Sequence, residues 1–148
     1  MSNKYFMELP IKVQAIIYRQ SLNEIEYLMI KRREEDGGFW QSVTGTLEEG
    51  EFLAKCMQRE IQEEIGVSEI LSQTGIIYTY TWRKSSMLIT EYVYGIEVSS
   101  KTEILLSFEH SEYQWCSFSK ALDLLIYPEN KKALQILQNL LEKNKKLL

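Results

Sequence analysis

The sequence predicts an α+β fold, an α/β/α sandwich in which a mixed β-sheet is flanked by helices. Three observations lead there. Runs rich in β-branched and aromatic residues recur along most of the chain, a glutamate-rich segment is patterned at helical intervals near residue 60, and a second helical pattern closes the sequence. With 148 residues, 45% of them hydrophobic and 11% aromatic, the chain can bury one core, and 1–148 is read as a single domain.

The first two runs, "IKVQAIIYR" and "IEYLMIKRR", are separated by the polar "QSLNE" and predict an antiparallel hairpin. Gly37 and Gly38 break the pattern, and "FWQSVT" then runs extended into Gly45. From about Phe52 to Ile65 there is no Gly or Pro, while Ala54, Met57, Ile61 and Ile65 recur at helical spacing and Gly66 is placed to end the helix. Ala54, Ile61 and Ile65 are expected to be buried against the sheet. "GIIYTYTWR" and "ITEYVYGIEV", joined through "KSSM", predict a second strand pair, and "EYQWCSF" a last short strand. Ser119 is a candidate cap for "SKALDLLI". Pro128 can open a final helix, on which Ala133, Ile136, Leu137, Leu140 and Leu141 form a core stripe. The Lys-rich "EKNKKLL" reads as a solvated end.

Charge and cysteine usage exclude several classes of function. Seventeen Lys and Arg against 21 Asp and Glu give a net charge of −4, which disfavours a polymeric nucleic-acid partner. Two cysteines, Cys56 and Cys116, lie far apart in a chain with one His, so neither zinc spacing nor a disulfide framework is present. The opening "MSNKYFMELP" has no basic start or apolar core, and no apolar run is long enough for a membrane helix. A cytoplasmic, reduced protein, monomer or homodimer, is expected.

The segment from Gly45 to Val67, "GTLEEGEFLAKCMQREIQEEIGV", carries six glutamates. A helix advances about 100° per residue, so Glu60, Glu63 and Glu64 share one side. Like charges at these spacings oppose helix formation and raise one another's pKa unless a cation sits among them. Carboxylate oxygens are the hard donors preferred by Mg²⁺ or Mn²⁺, and Mg²⁺ completes its coordination with water and phosphate oxygens. Glu51, near the helix start, can meet free N–H groups there, and Arg59 can orient the patch. Cys56 lies on the carboxylate side, one turn before Glu60, and is read as a packing residue.

The same segment, Gly45, five residues, Glu51, seven residues, Arg59-Glu60-Ile61, one residue, Glu63-Glu64, one residue, Gly66-Val67, resembles the complete signature of the Nudix hydrolases. The element order around it resembles the Nudix fold over nearly the whole chain. The resemblance implies hydrolysis of a nucleoside diphosphate linked to another group, with Mg²⁺ or Mn²⁺ and an attacking water. It implies Glu60, Glu63 and Glu64 as metal ligands, the Gly45 carbonyl as a further one, and Glu51 with Arg59 as supports. The base comes from different places in different members, so Glu60, Glu64 and a residue outside the helix all stay open.

"FWQSVTG", with Val43-Thr44-Gly45 where many members carry Pro-Gly-Gly, is similar to the bacterial enzymes that cleave dihydroneopterin triphosphate or dATP. Within "FEHSEYQW", Glu109 resembles an additional metal-binding glutamate of that group, which makes it a candidate ligand or base, while His110 reads as a hydrogen-bonding neighbour and Tyr113 and Trp115 as core or walls. One of Arg32 and Arg33 can reach the phosphates, since strand alternation separates them. Phe39 and Trp40 either stack on a flat ring or pack the core. The implied substrate is a small nucleotide or pterin triphosphate cleaved to monophosphate and pyrophosphate. The alternatives are a dinucleoside polyphosphate such as diadenosine tetraphosphate, or binding without hydrolysis.

Overall fold

The structure is a computed structural model and describes residues 8–146. Its elements run β1 (Glu8–Ser21), β2 (Glu24–Arg32), a 3-10 turn (Glu34–Asp36), β3 (Trp40–Gln41), β4 (Val43–Glu48), α1 (Leu53–Ile65), β5 (Ser72–Lys84), β6 (Met87–Glu97), β7 (His110–Cys116), α2 (Phe118–Leu124) and α3 (Pro128–Lys146). The expected strands and helices are present. Residues 1–7, most of the opening segment, lie outside the described residues, as do the last two of the Lys-rich end.

β1 organises the sheet because three strands pair with it. Its first half pairs antiparallel with β4 and its last residues with β2, while residues 11–18 run parallel to β6. β2 carries β3 and β7, and β5 pairs antiparallel with β6, which makes the sheet mixed. The first hairpin turns through Leu22 and Asn23, both at positive φ (49° and 80°). Asn tolerates that conformation; Leu22 adopts it with its side chain in solvent.

Strand alternation divides the core in two. Val13, Ala15, Ile17, Leu28 and Ile30 meet Cys56, Met57, Ile61 and Ile65 of α1 on one face. Ile16, Tyr18, Tyr27 and Met29 meet Ala121 of α2 and Ala133, Leu134, Leu137 and Leu141 of α3 on the other. The expected sandwich follows from this arrangement.

Some details differ from the sequence reading. Ala54 is exposed rather than buried, because Cys56 and Met57 take the inward positions of the first turn. α2 is capped by Ser117, not Ser119: its Oγ accepts from the Lys120 N–H at 3.2 Å. On α3, Leu134 is fully in the core while Ile136 and Leu140 lie at its margin.

Gly95 of β6 allows α3 to approach closely, since a Cβ there would stand 2.5 Å from Leu137 Cδ1. Leu137 itself is 0% exposed. Leu137→Ala is expected to cost roughly 2–5 kcal/mol of unfolding free energy in urea denaturation; a loss well under 1 kcal/mol would show that α3 is not part of the cooperative core.

Candidate metal and phosphate site

The site begins where β4 passes under α1. Gly45 pairs with Val13 and faces the helix, and a Cβ built on it would lie 1.9 Å from Glu60 Cδ and 2.1 Å from Cγ. The Glu60 side chain therefore occupies the place where any other residue would carry its own side chain. Only glycine lets that carboxyl lie on the strand.

α1 starts at Leu53 after Phe52, which makes no side-chain cap, and ends at Gly66 in the left-handed region (φ 70°), whose N–H returns to the Gln62 carbonyl. Two further carbonyls near its C-terminus are taken by the loop before β7: Leu105 N–H donates to Ile65 O at 2.9 Å and Ser107 N–H to Glu64 O at 3.0 Å. These bonds fix the second half of the site relative to the first.

Arg59 holds the first half. Its Nε and Nη2 donate to the two oxygens of Glu51 at 2.7 and 3.0 Å, a bidentate pair. Nη1 reaches Glu60 Oε1 at 2.9 Å and Glu63 Oε1 at 3.2 Å, and Nη2 also donates to the Thr46 carbonyl at 3.1 Å. Glu51 accepts the Glu48 N–H at 3.1 Å as well, so it ties the β4–α1 turn to Arg59 instead of serving the free N–H groups of the helix start. Hydrogen bonding to Arg59 holds the Glu51 carboxyl below the usual carboxylate range, and the Glu51 bond raises the already high Arg59.

The three helix glutamates sit in different surroundings. Glu60 is 9% exposed, and burial pushes its carboxyl up to about 7 against the opposing pull of Arg59. Glu63, whose side chain is 54% exposed, turns outward to Arg59 and does not join the other two in the interior. Glu64 is 8% exposed; burial would raise it, but His110 and Ser107 outweigh that effect and hold it below the ordinary value, with Glu109 adding in the same direction. His110 Nδ1 lies 3.0 Å from Glu64 Oε2, off the straight hydrogen-bond axis, and Ser107 Oγ donates to the same oxygen at 3.3 Å. His110 Nε2 lies 3.2 Å from Gln41 Nε2. The cationic partner that the glutamate spacing demanded is thus supplied in part by the chain's own Arg59.

The donor chemistry fits a hard divalent cation: buried and half-exposed carboxylates beside a strand backbone, all oxygen. Among the described residues, no three His, Cys, Asp or Glu side chains already stand at metal-ligand spacing, as Arg59 lies between Glu60 and Glu63 and Glu64 is turned to His110. Cys56 beneath them is 0% exposed, and burial pushes its thiol up to about 12, which suits packing and not attack.

The remaining sequence candidates divide. Glu109 stands at the exposed rim beside Ser107, whose Oγ accepts its N–H at 3.4 Å. Arg32 is paired in register with His110, and its Nε is buried with no hydrogen-bond partner among the described residues, an unmet donor that an anion would satisfy. Arg33 is drawn away, its Nε donating to the Phe108 carbonyl. Phe39 meets Tyr127 edge to face with ring centroids 5.9 Å apart. Trp40 packs with the α2–α3 core, on the sheet face opposite α1, which separates it from the carboxylates. Tyr113 is 42% exposed, and Trp115 borders the α1-side core with Arg19 stacked 4.2 Å from its ring centroid. Sequence reading missed Gln41, Ser107 and the Thr46 carbonyl; a polar residue on a strand or in a loop has no periodicity to betray it.

The described residues include no helix long and apolar enough to cross a membrane. The NUDIX domain family model matches residues 9–139. An octanoyltransferase of Myxococcus xanthus is 32% identical over 104 residues, 69% of this chain, but the chain spans only 29% of that protein's length. The dihydroneopterin triphosphate diphosphatase of Escherichia coli K12 is 29% identical over 138 residues, covering 85% of this chain and 90% of the relative. The structure of a C. elegans Ap4A hydrolase in a binary complex superposes with a TM-score of 0.80 at 20% identity, covering 90% of this chain and 98% of that one. At that identity the likeness speaks for the fold alone.

Two outcomes follow from the geometry. Gly45→Ala is expected to expel the Glu60 side chain from the strand, lowering activity at least as much as stability; a variant with wild-type turnover would show that the Glu60 position is dispensable. The Glu51 pair gives a pH signature. A carboxyl depressed on folding stabilises above its unfolded pKa and loses that contribution as pH falls through the folded value. Glu51→Gln should therefore lower the Tm at neutral pH, and the gap to wild type should close on acidification; a gap independent of pH would contradict the pairing.

Proposed function

The chain belongs to the Nudix hydrolase family, and from that premise we propose a cytoplasmic, metal-dependent pyrophosphohydrolase, one catalytic domain over 1–148, that cleaves a nucleoside or pterin triphosphate of the dATP or dihydroneopterin triphosphate type to monophosphate and pyrophosphate. The observation that carries this reading is the packing of Glu60 onto Gly45 within the hydrogen-bond array of Arg59, Glu51 and Glu63. Every side chain of the Nudix signature that would serve the chemistry is retained, which favours an enzyme over a binding module. The similarity to the E. coli diphosphatase over most of both chains favours the triphosphate substrate.

In this reading Glu60, Glu63, Glu64 and the Gly45 carbonyl would hold Mg²⁺ or Mn²⁺, with Glu109 joining from the rim. The cation would neutralise charge on the polyphosphate and acidify a bound water. Arg59 and Glu51 fix the loop and helix from which those oxygens project. Glu60 and Glu64 are the two helix candidates to accept the proton of that water. Arg32 supplies its unmet Nε–H to a phosphate oxygen. Phe39, at the edge beside Tyr127, is the aromatic available to a heterocycle, whereas Trp40 serves the core.

The test is product analysis with Mg²⁺ and with Mn²⁺ over dATP, other nucleoside triphosphates, dihydroneopterin triphosphate and diadenosine tetraphosphate. Pyrophosphate and a monophosphate from the triphosphates support the proposal. A nucleoside triphosphate released from the dinucleotide, with the triphosphates left intact, would replace it with a dinucleoside polyphosphate hydrolase. Glu64→Gln is expected to lower turnover by roughly 10²-fold or more while the protein stays folded, since the isosteric amide keeps an oxygen for His110 and Ser107; unchanged turnover would remove Glu64 from the machinery.

A further inference from the structure

His110 is the chain's single histidine, and the family signature assigns it nothing. It is 4% exposed and lies between Gln41 of β3 and Glu64 of α1. Such a buried ring beside a buried carboxylate must have its polar atoms accounted for. Gln41 Nε2, 3.2 Å away, is a donor, so ring Nε2 accepts and the ring proton sits on Nδ1, which stands 3.0 Å from Glu64 Oε2, off the straight hydrogen-bond axis. Ser107 Oγ converges on the same carboxylate oxygen, Oε2. Both of these contacts fall on Oε2, and Oε1 receives neither.

Resting on the reading above, in which Glu64 is a metal ligand, we propose that His110, oriented by Gln41, is a positioning residue that fixes Glu64 Oε2 together with Ser107 and so presents Oε1 to the divalent cation. The physical reason is that a two-oxygen carboxylate on a flexible side chain holds a cation poorly unless one oxygen is tied down. Partners that orient a ligand in this way typically change metal affinity by about 10- to 100-fold. β7 and the loop before it carry His110 and Ser107, and that loop is bonded to the Glu64 and Ile65 carbonyls, so carboxylate and clamp move as one unit.

The first measurement needs no metal. Because the chain has one His, the ¹⁵N spectrum of its imidazole at a pH where the ring is neutral reports His110 alone; the Nδ1–H tautomer is expected, and the Nε2–H tautomer would overturn the proposal. The second is Mn²⁺ titration followed by electron paramagnetic resonance. His110→Phe, which keeps a ring and loses both nitrogens, should bind Mn²⁺ about 10- to 100-fold more weakly than wild type. His110→Asn, whose amide can replace Nδ1, should recover most of that loss. Equal affinity of His110→Phe and wild type, or an Asn variant as weak as the Phe variant, would overturn the clamp while leaving the enzyme reading in place. Should His110→Phe fail to fold, Gln41→Leu removes the orienting donor alone and should weaken Mn²⁺ binding and mix the tautomers; no change in either would count against the proposal. A wild-type protein that binds no Mn²⁺ would bring down the metal reading itself, and this inference with it.

Discussion

Arg59 donates to both oxygens of Glu51, to Glu60, to Glu63 and to the Thr46 carbonyl, so acceptors from β4, from the turn after it and from α1 all depend on one guanidinium. Four glutamates at 48, 51, 60 and 63 lie within 4 Å of that side chain. Removed from this partner they would repel one another across the start of the helix and along its face. A lysine could neutralise the charge, but a single ammonium lacks the planar fork that meets Glu51 with two parallel bonds while leaving a third nitrogen for Glu60 and Glu63. The side chain is only a quarter exposed, so these bonds are less screened than a surface pair would be.

The array accounts for the unequal states of Glu60 and Glu64. Both are buried to a similar degree, yet one is raised to about 7 and the other lowered. Glu60 is pressed on a strand backbone and shares Arg59 with neighbours that compete for it, so burial prevails. Glu64 has His110 and Ser107 on one oxygen, and those contacts prevail over burial. Two carboxylates one helical turn apart thus acquire different proton affinities from the groups that surround each of them.

Much of this was legible in the sequence because it rests on spacing. The helix from residue 53 to 65, its Gly66 stop and the shared face of the glutamates follow from a 3.6-residue period, and the strand pairs follow from β-branched runs between turn residues. Glu63 turning outward was not legible: helical angle places it beside Glu60, but only the neighbouring strand decides which of the two is covered. Ala54 failed for a similar reason, as its apolar character suits either face and Cys56 filled the inward position. The side of the sheet taken by Trp40 depends on the register Lys31↔Trp40, which a two-residue strand does not reveal by alternation. Gln41 and Ser107 act through contacts between residues far apart in the chain, and no local pattern encodes those.

Gly45 shows how backbone and chemistry are joined. An ordinary strand position would carry a side chain toward α1, and in β4 that side chain would contribute to the core beside Val43 and Leu47. Here the core yields one position to a carboxylate from the helix, at a cost in apolar burial and in the desolvation of Glu60. Such a sacrifice is stable only if the helix cannot slide, because a shift of one residue would present Arg59 or Ile61 to the gap. The Ile61 and Ile65 contacts, both at 0% exposure, and the loop bonds at the helix C-terminus prevent that shift. The apolar side of α1 therefore determines where its charged side lies, and the stability of the core and the placement of the clustered carboxylates are one constraint seen from two faces of the same helix.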